Sequence, residues 1–505
     1  MAGRELLRDP VWQGEELGEA LPDSPHAVSV ALPRWQDVVG YEEKWPEVVD
    51  RLKSGYPRFV IHRLVRELAR QAGGECPCLV FPSAETARLC VDFIVRQSGA
   101  GAVVLPQGDV WGVATSVRGV DALKAFWQHT GLIVSTRQAE AELSGRGSGK
   151  GEGDSYDSLR SQIASLYDCA ADDVFLQPTG MAAMFAALRV VRSRMPSAPT
   201  AQIGFPYVDT LKLQEKFGCG VTLLHDLEHC SANLRKLLLD APLAGCFCEL
   251  PGNPLLGSAD LREITPVLRE HGVPLVADDV VATPLNVDLS GHADLIATSL
   301  TKYIVGSGDA MGGALICNPR SPYYAELKRF AAGLHEELLW HEDAAVLATN
   351  IADFPHRMRR HNANGLIIAE RLRRHPLVAE VWYPKWSFGE AYEAVRRPDG
   401  GWGGLVTFLP QDAETASPRI YDSLAVCKGP SLGTTFTLAC PFTLLAHYTE
   451  LAWAESCGVP RNLIRISVGL EDPEDLWQRI ARALENGASN RIIDNHLAER
   501  GGSVT

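Results

Sequence analysis

The sequence has no surplus of basic residues and no basic tract. Its 48 Lys and Arg are outnumbered by 62 Asp and Glu, so the formal net charge is −14 at pH 7. Binding to a phosphate backbone draws on clustered cations. An acidic chain without such a cluster is therefore not expected to bind nucleic acid.

Long apolar segments are also missing. No run is long enough to span a bilayer, and the N-terminal residues lack the apolar core of a signal peptide. The same segment contains Glu15, Glu16 and Glu19, whereas organellar transit peptides contain few acidic residues. We therefore expect a cytoplasmic protein that does not bind membranes.

The 12 cysteines are scattered, and the sequence lacks the repeated pairs of a zinc site. Cys76-Pro-Cys78 and Cys246-Phe-Cys248 are the only close pairs, and neither has a second half at zinc spacing. Reduced, buried thiols of a cytosolic protein account for them. The sequence predicts no metal site.

What the sequence does contain is a strand–helix–strand unit. Gly245–Glu249 has the pattern of a strand, a helix with one apolar face follows a cap at Ser258, and Pro274–Ala277 forms the second strand. This order and spacing indicate a parallel α/β fold. The 505 residues, 46% of them hydrophobic, are enough for one large or two moderate domains.

Polar residues follow the strands of this unit. Asn253 and Asp278 lie at two strand ends, and Lys302 follows the apolar run at 295–298 within Thr298-Ser-Leu-Thr-Lys-Tyr303. A single loop lysine is ordinarily a solvated residue. Parallel sheets, however, bind ligands beyond the carboxyl ends of their strands. A lysine and an aspartate there suit pyridoxal 5′-phosphate (PLP), because the lysine can form a Schiff base and the aspartate can pair with the pyridinium nitrogen.

Three segments in order carry a family resemblance: Glu249-Leu-Pro-Gly-Asn-Pro254, Val276-Ala-Asp278, and Ser299-Leu-Thr-Lys-Tyr303 with Gly312-Gly313. They resemble the Cys/Met-metabolism PLP enzymes, the cystathionine γ-synthase family, over about residues 135–490. An extra α/β segment ahead of them is similar to the extension of the fungal-type members. The resemblance implies an α/β, type I PLP-dependent transferase fold of the aspartate aminotransferase kind, with a mostly parallel sheet.

Three domains follow from this resemblance. We expect an N-terminal arm and extra α/β segment at 1–134, a PLP-binding large domain at 135–374 and a smaller C-terminal α/β domain at 375–505. The extra segment is predicted to contain strands at 79–81, 102–105 and 132–134, with helices between them.

The resemblance also implies the phosphate site. Thr179-Gly-Met-Ala-Ala183 opens a long apolar helix, and the first amides and dipole of a helix favour an anion. The family places the amides of Gly180 and Met181 on the cofactor phosphate. Ser299 and Thr301 match the hydroxyl residues that bind the same group.

Four further residues match positions around the cofactor ring. Lys302 matches the catalytic lysine, and Asp278 the partner of the pyridinium nitrogen. By the same resemblance, Tyr207 stacks on the ring and assists proton movement, and Asn253 hydrogen bonds to the phenolic oxygen of PLP.

Substrate contacts are implied in the C-terminal domain. Arg465 lies in an alternating strand whose other face carries Ile464 and Ile466, so a buried anionic partner is expected, either in a structural ion pair or in a ligand. The family assigns this arginine to the substrate α-carboxylate. Ser431 begins the Ser-Leu-Gly loop that the family places at the same carboxylate.

One family element has two candidates. Bacterial members carry a Tyr-x-Arg motif that reaches the phosphate of the neighbouring subunit. Tyr56-Pro-Arg58 keeps both residue types but lies far upstream of Gly180, whereas Arg137 lies nearer the expected distance once a predicted mobile loop at 144–154 is discounted. Arg137 is favoured for the phosphate, and Tyr56 and Arg58 are the alternative contributors to the substrate site.

The implied reaction is γ-replacement on an O-acyl-L-homoserine, with cysteine as the nucleophile and cystathionine as the product. Replacement by a carbon nucleophile such as a β-keto acid, sulfhydrylation of O-acetylhomoserine and γ-elimination use the same residues and stay open. A catalytically silent scaffold is disfavoured because Lys302, Asp278 and Arg465 are all present. Homodimers or homotetramers with shared sites are expected, with amino acids as the small-molecule partners.

Overall fold

The computed structural model describes residues 4–146 and 154–487. Residues 147–153 and 488–505 lie outside the described residues, and with them most of the predicted mobile loop and the end of the predicted third domain. Within the described ranges, no helix is both long enough and apolar enough to cross a membrane.

The N-terminal part is a small antiparallel sheet covered by helices and preceded by a two-stranded ladder of β1 and β2. The sheet order is β3-β5-β4. Its elements are β1 Ala20–Leu21, β2 Ser29–Val30, α1 Trp35–Glu43, α2 Pro46–Val49, α3 Arg63–Gly73, β3 Cys78–Phe81, α4 Ala84–Ser98, β4 Ala102–Gln107, β5 Val110–Thr115, α5 Val120–Thr130 and α6 Thr136–Leu143.

The prediction of an extra α/β segment is confirmed, but two details of it are wrong. Leu132–Val134 forms no strand and is instead buried loop following Gly131, which ends α5 with φ of +64°. The central strand β5 was not predicted: its segment is a short apolar run without alternation, and Gly112 in its middle is unfavourable in a strand.

The large sheet has the order β6-β12-β11-β10-β9-β7-β8. Neighbours from β8 to β11 are parallel, and β12 is antiparallel to β11 and to β6, so the prediction of a mostly parallel sheet is confirmed. Its elements are α7 Asp154–Tyr167, β6 Val174–Gln177, α8 Gly180–Arg194, β7 Thr200–Ile203, α9 Val208–Phe217, β8 Val221–Leu224, α10 Cys230–Asp240, β9 Gly245–Glu249, α11 Leu261–Glu270, β10 Leu275–Asp278, β11 Leu295–Ser299, β12 Gly313–Cys317, α12 Tyr324–Leu334 and α13 His341–Asn350.

The cap of α11 differs from the prediction. Asp260, not Ser258, accepts the backbone N–H of Arg262 at 2.9 Å. The carboxylate is adjacent to the first turn and satisfies one of its unpaired amides, which the more distant serine cannot do.

The C-terminal part is a five-stranded sheet of order β13-β14-β17-β16-β15. Ile464, Ile466 and Val468 pack into its core, as their alternation predicted. The elements are α14 Phe354–Arg373, β13 Val378–Trp382, α15 Gly389–Glu393, β14 Leu405–Pro410, α16 Ala413–Ser423, β15 Cys427–Lys428, β16 Leu438–Cys440, α17 Phe442–Ala446, α18 Leu451–Ser456, β17 Ile464–Ser467 and α19 Pro473–Gly487.

The N-terminal segment connects the two large sheets. Val28 N–H donates to the carbonyl of Gly308 beyond β11, and Leu32 N–H donates to that of Lys428 in β15, both at 2.9 Å. The chain that follows then runs past the carboxyl edge of the large sheet before α3 begins. This path brings Tyr56 and Arg58 to the same edge as the predicted ligand site.

Candidate active site

Lys302 lies in the turn that connects β11 to β12. Its Nζ donates a 2.8 Å hydrogen bond to Ser431 Oγ and lies 4.3 Å from the centroid of the Tyr56 ring. Burial lowers the pKa of the amine, Tyr56 opposes this effect, and the positive charges of Arg465 and Arg58 lower the pKa further. A lysine with a lowered pKa is more often an uncharged amine near neutral pH, as a nucleophile or proton acceptor must be.

Arg465 of β17 reaches the same edge and is only 5% exposed. Its Nη2 donates to the Ser431 carbonyl at 2.7 Å, and its Nη1 donates to Asn253 Oδ1 at 3.1 Å. The buried Nε has no hydrogen-bond partner among the described residues. Because guanidinium groups donate in a planar fork, this N–H is available to an acceptor such as a carboxylate.

Two acidic side chains end neighbouring strands of the large sheet. Asp278 of β10 is in register with Glu249 of β9, whose carboxylate accepts the backbone N–H groups of Tyr207 and Asn253. Burial raises the pKa of both carboxyls; Asp278 raises that of Glu249 further. No ion pair to Asp278 is formed within the described chain, so this carboxyl would gain from a cation placed beside it.

A tyrosine pair flanks Arg58. The Arg58 Nη2 donates to the Tyr207 hydroxyl at 2.7 Å, and the guanidinium carbon lies 5.3 Å from the centroid of the Tyr56 ring. Burial alone would raise the pKa of Tyr56, but the charges of Lys302 and Arg58 outweigh burial and lower it. The hydroxyl of Tyr56 is thus easier to ionise than that of an ordinary tyrosine.

The N-terminus of α8 forms the other end of the site. Thr179 caps the helix, accepting the Ala182 N–H at 3.0 Å, and a side chain on Gly180 would come within 2.6 Å of Ser299 Cβ. The Ser299 hydroxyl is buried and has no partner in the described structure, whereas Thr301 Oγ1 accepts the N–H of Gly312 at 3.1 Å. Met181 occupies the next helix position and is buried.

Arg137 is not among the side chains brought together around Lys302. Its Nη1 donates to the Asp309 carbonyl at 2.6 Å and to Asp343 Oδ1 at 2.9 Å. Both contacts are within its own chain, and the guanidinium is largely buried. A role for Arg137 at the cofactor phosphate stays a prediction. Of the two segments considered for the Tyr-x-Arg motif, Tyr56-Pro-Arg58 is the one that contacts Lys302.

One positioning residue escaped prediction. Arg357 of α14 lies in the arginine-rich segment 357–360 and pairs with Asp353 at 2.7 Å. It also donates to the carbonyls of Tyr303 and Ile304, each at 2.8 Å, and so fixes the turn after Lys302. No local pattern reveals a contact across 54 residues of sequence.

Family models match two parts of the chain. Residues 153–485 match the model described as Cys/Met metabolism PLP-dependent enzyme. The chain belongs to this family. Residues 60–135 match the N-terminal domain of fungal trans-sulfuration enzymes, which confirms the predicted resemblance of the extra segment. The cofactor is PLP, and the protein is a PLP-dependent enzyme.

Relatives of this family align with nearly the whole chain. The cystathionine γ-synthase of Neurospora crassa is 32% identical, with 93% of this chain and 98% of the relative covered. The cystathionine γ-synthase-like protein ankD of Aspergillus thermomutatus is 34% identical, with 92% and 93% covered. The L-2-amino-4-chloropent-4-enoate dechlorinase/desaturase of Streptantibioticus cattleyicolor is 34% identical, with 90% and 95% covered.

Solved structures confirm the predicted fold. The crystal structure of metB from Corynebacterium glutamicum is 26% identical and superposes with a TM-score of 0.58, covering 65% of this chain and 84% of that chain.

The residues at the sheet edge fit PLP. The buried, unpartnered hydroxyl of Ser299 packs against Gly180 in the first turn of α8, which suits a phosphate at that N-terminus. At the other end, the Asp278 carboxyl suits the ring nitrogen, and Lys302 offers the amine. The arrangement accommodates an anion at one end and a cation at the other.

Proposed function

We propose that this enzyme catalyses γ-replacement on an O-acyl-L-homoserine, with cysteine as the nucleophile and cystathionine as the product. The observation that carries the proposal is the pairing of Lys302 with Arg465 through Ser431. An amine and a buried guanidinium that both bond to the same residue suit an α-amino acid bound by its reacting amine and its carboxylate. The relative from Neurospora crassa, named cystathionine γ-synthase, aligns over 93% of the chain.

The proposed cofactor contacts are those predicted from the resemblance. The backbone of Gly180 and Met181 and the hydroxyls of Ser299 and Thr301 would bind the phosphate. Around the ring, the contacts would be made by Asp278, Asn253, Tyr207 and Lys302.

Asn253 illustrates how these contacts combine. Its Oδ1 already accepts from Arg465, so its amide N–H₂ is left to donate to the phenolic oxygen of PLP.

Different side chains of the site would perform different steps of the proposed reaction. When bound, PLP supplies an electron-accepting ring conjugated to the substrate amine. Lys302, with its lowered pKa, would take the proton from Cα. Loss of a second proton, from Cβ, then allows the γ-acyloxy group to leave. Arg465 would hold the α-carboxylate through its unpartnered Nε. The Tyr207 hydroxyl, fixed by Arg58, lies at the same edge to assist proton movement.

A second candidate is γ-substitution with a carbon nucleophile in specialised metabolism. It is favoured by relatives named as synthase-like proteins and as a dechlorinase/desaturase, which align as extensively as the synthases do. Sulfhydrylation of O-acetylhomoserine and γ-elimination use the same groups and are outcomes of the same test.

Product analysis tests these alternatives directly. The purified enzyme is incubated with O-acetyl- or O-succinyl-L-homoserine and with cysteine, sulfide or a β-keto acid. Cystathionine as the main product supports the leading proposal, and a carbon-linked amino acid supports the second candidate. Turnover by a Lys302→Ala variant without an added amine would overturn the assignment of Lys302 in either case.

We also propose a cytoplasmic location, self-association as a homodimer or homotetramer, and division into domains at 1–134, 135–374 and 375–505. Size-exclusion chromatography with light scattering measures the association. A monomer at micromolar concentration would contradict that part of the proposal.

A further inference from the structure

Glu249 ends β9, the strand that lies between β10 and β7 in the large sheet. Its Oε1 accepts the backbone N–H of Tyr207 at 2.5 Å, and its Oε2 accepts that of Asn253 at 3.4 Å. Tyr207 belongs to the segment that follows β7, whereas Asn253 belongs to the segment that follows β9. One carboxylate therefore joins the two segments that carry the proposed contacts to the cofactor ring and its phenolic oxygen.

The backbone of these segments depends on this carboxylate. Among the described residues, neither of the two N–H groups donates to any other acceptor. Nearby, the N–H of Leu250 donates to the Asp278 carbonyl and that of Gly252 to the Gly257 carbonyl, each at 2.9 Å. A buried N–H that loses its acceptor costs about as much free energy as a lost hydrogen bond. The side chain of Glu249 thus supplies what the backbone does not.

The position is an unfavourable one for an acid. Glu249 is only 8% exposed, and no cation within the described parts of the chain acts on its carboxyl. Burial raises its pKa, Asp278 on the adjacent strand raises the pKa further, and the two N–H groups oppose these effects. Burying a carboxyl without a cation costs free energy, so stability alone gives no reason for a glutamate here.

The placement of Asn253 affects a third residue of the site. Asn253 Oδ1 accepts from Arg465 Nη1 at 3.1 Å. A shift in the backbone of Asn253 would therefore move the acceptor that orients this guanidinium. In the same way, a shift in the backbone of Tyr207 would tilt the ring that is proposed to stack on the cofactor.

We propose that Glu249 is a positioning residue of the active site, whose two oxygens set the placement of Tyr207 and Asn253. Through Asn253 it also sets the orientation of the Arg465 guanidinium. The inference rests on the roles proposed above for these three residues. It requires the length of the glutamate side chain and both of its acceptor oxygens, and not its charge alone.

Two substitutions separate the acceptors from the charge. Glu249→Gln keeps the length but offers only one acceptor oxygen, and Glu249→Asp keeps the charge but is too short to reach both N–H groups. The contact to Asn253 is the longer of the two, so it should be lost first in both variants. Glu380 is exposed, and Glu380→Gln is the matched control.

Binding of L-norleucine to the PLP-loaded enzyme measures the effect without turnover. This amino acid has the α-amine and the α-carboxylate of the proposed substrate but no leaving group at Cγ. A titration followed by the absorbance of the bound cofactor should show binding weakened at least about tenfold in Glu249→Gln and in Glu249→Asp. Binding to Glu380→Gln should be unchanged. Wild-type affinity in either variant of Glu249 would overturn the proposal.

A third variant tests the contact to Tyr207. Glu249→Ala removes both acceptors and should release the Tyr207 segment as well. The visible circular dichroism of the bound cofactor should then change before any norleucine is added, because the ring beside the cofactor moves. An unchanged spectrum would show that Glu249 does not position Tyr207, which contradicts the proposal.

A double-mutant cycle distinguishes positioning from a general weakening of the fold. If Glu249 acts on Arg465 through Asn253, the change Glu249→Gln should have almost no further effect on norleucine binding once Asn253→Ala is present. Full additivity of the two changes would overturn the proposal.

All affinities are measured on chains that hold the cofactor. Loss of PLP from both Glu249→Gln and Glu249→Asp, or wild-type affinity in the fraction that keeps it, would make Glu249 a structural residue and contradict the proposal. The proposed function fails separately, if the wild-type enzyme forms no γ-replacement product from an O-acyl-L-homoserine. The norleucine titration does not depend on that product.

Discussion

The amine of Lys302 donates a 2.8 Å hydrogen bond to the hydroxyl of Ser431, a residue whose φ is +101°. Side chains rarely adopt this backbone conformation, which costs about 1–3 kcal/mol. The Ser431 carbonyl accepts from Arg465 at 2.7 Å. One strained residue therefore connects the proposed cofactor-binding amine to the proposed carboxylate-binding guanidinium.

Two substitutions at Ser431 should separate strain from function. Both Ser431→Gly and Ser431→Ala remove the hydroxyl beside Lys302 and should lower kcat/KM similarly. The glycine relieves the positive φ, so it should be more stable than the alanine by about 1 kcal/mol. Thermal unfolding and steady-state kinetics check this, and equal stability of the two variants would show that the backbone is unstrained.

Arg465→Lys should sharply weaken the binding of amino-acid substrates. Lysine cannot reproduce the planar fork that donates to Asn253, Ser431 and a carboxylate together. Loss of such a contact typically costs about 2–5 kcal/mol when the other charge stays buried. The absorbance of the bound cofactor should stay unchanged in the absence of substrate. Titration with an amino-acid substrate, followed by absorbance, tests this; wild-type affinity would place the carboxylate elsewhere.

Asp278→Asn should lower the turnover rate far more than the cofactor content. The neutral amide keeps the shape of the site but removes the anion that would stabilise a protonated ring nitrogen. The exposed Asp226→Asn is the matched control and should change neither quantity. Cofactor content is measured after release by alkali, and turnover by product formation. A parallel loss of both would assign Asp278 a structural role.

Lys428 should make stability depend on pH. It is fully buried, donates to the carbonyls of Pro33 and Asp422, and burial lowers its pKa from 10.5 to about 7 against the opposing charges of Asp422 and Asp37. Between these pKa values the unfolded chain binds more protons, so the contribution of Lys428 to stability rises with pH above about 7.

In Lys428→Met this contribution should vanish, and the difference in unfolding midpoint between wild type and variant should change steadily between about pH 7 and pH 9. The exposed Lys124→Met serves as the control, and its difference from wild type should not vary with pH. A pH-independent difference for Lys428→Met would mean that the buried amine does not titrate in this range.

Local sequence patterns predicted the parallel strand–helix–strand unit and the ligand site at its edge. They could do so because β9, α11 and β10 each show a hydrophobic periodicity and lie close together in sequence. The sequence could not place Arg357 or Asp209, since their contacts with the turn after Lys302 and with Arg58 depend on packing between distant elements. The same holds for Tyr56, which the topology, not the spacing, brings to Lys302.

Reduction of the PLP-loaded enzyme with borohydride, followed by digestion and peptide mass spectrometry, tests the central claim most directly. Reduction fixes the cofactor permanently to the lysine that binds it. The account predicts a phosphopyridoxyl group on Lys302, and no label at that peptide in Lys302→Ala. A label on any other lysine of the wild-type chain would contradict the assignment of this sheet edge as the active site.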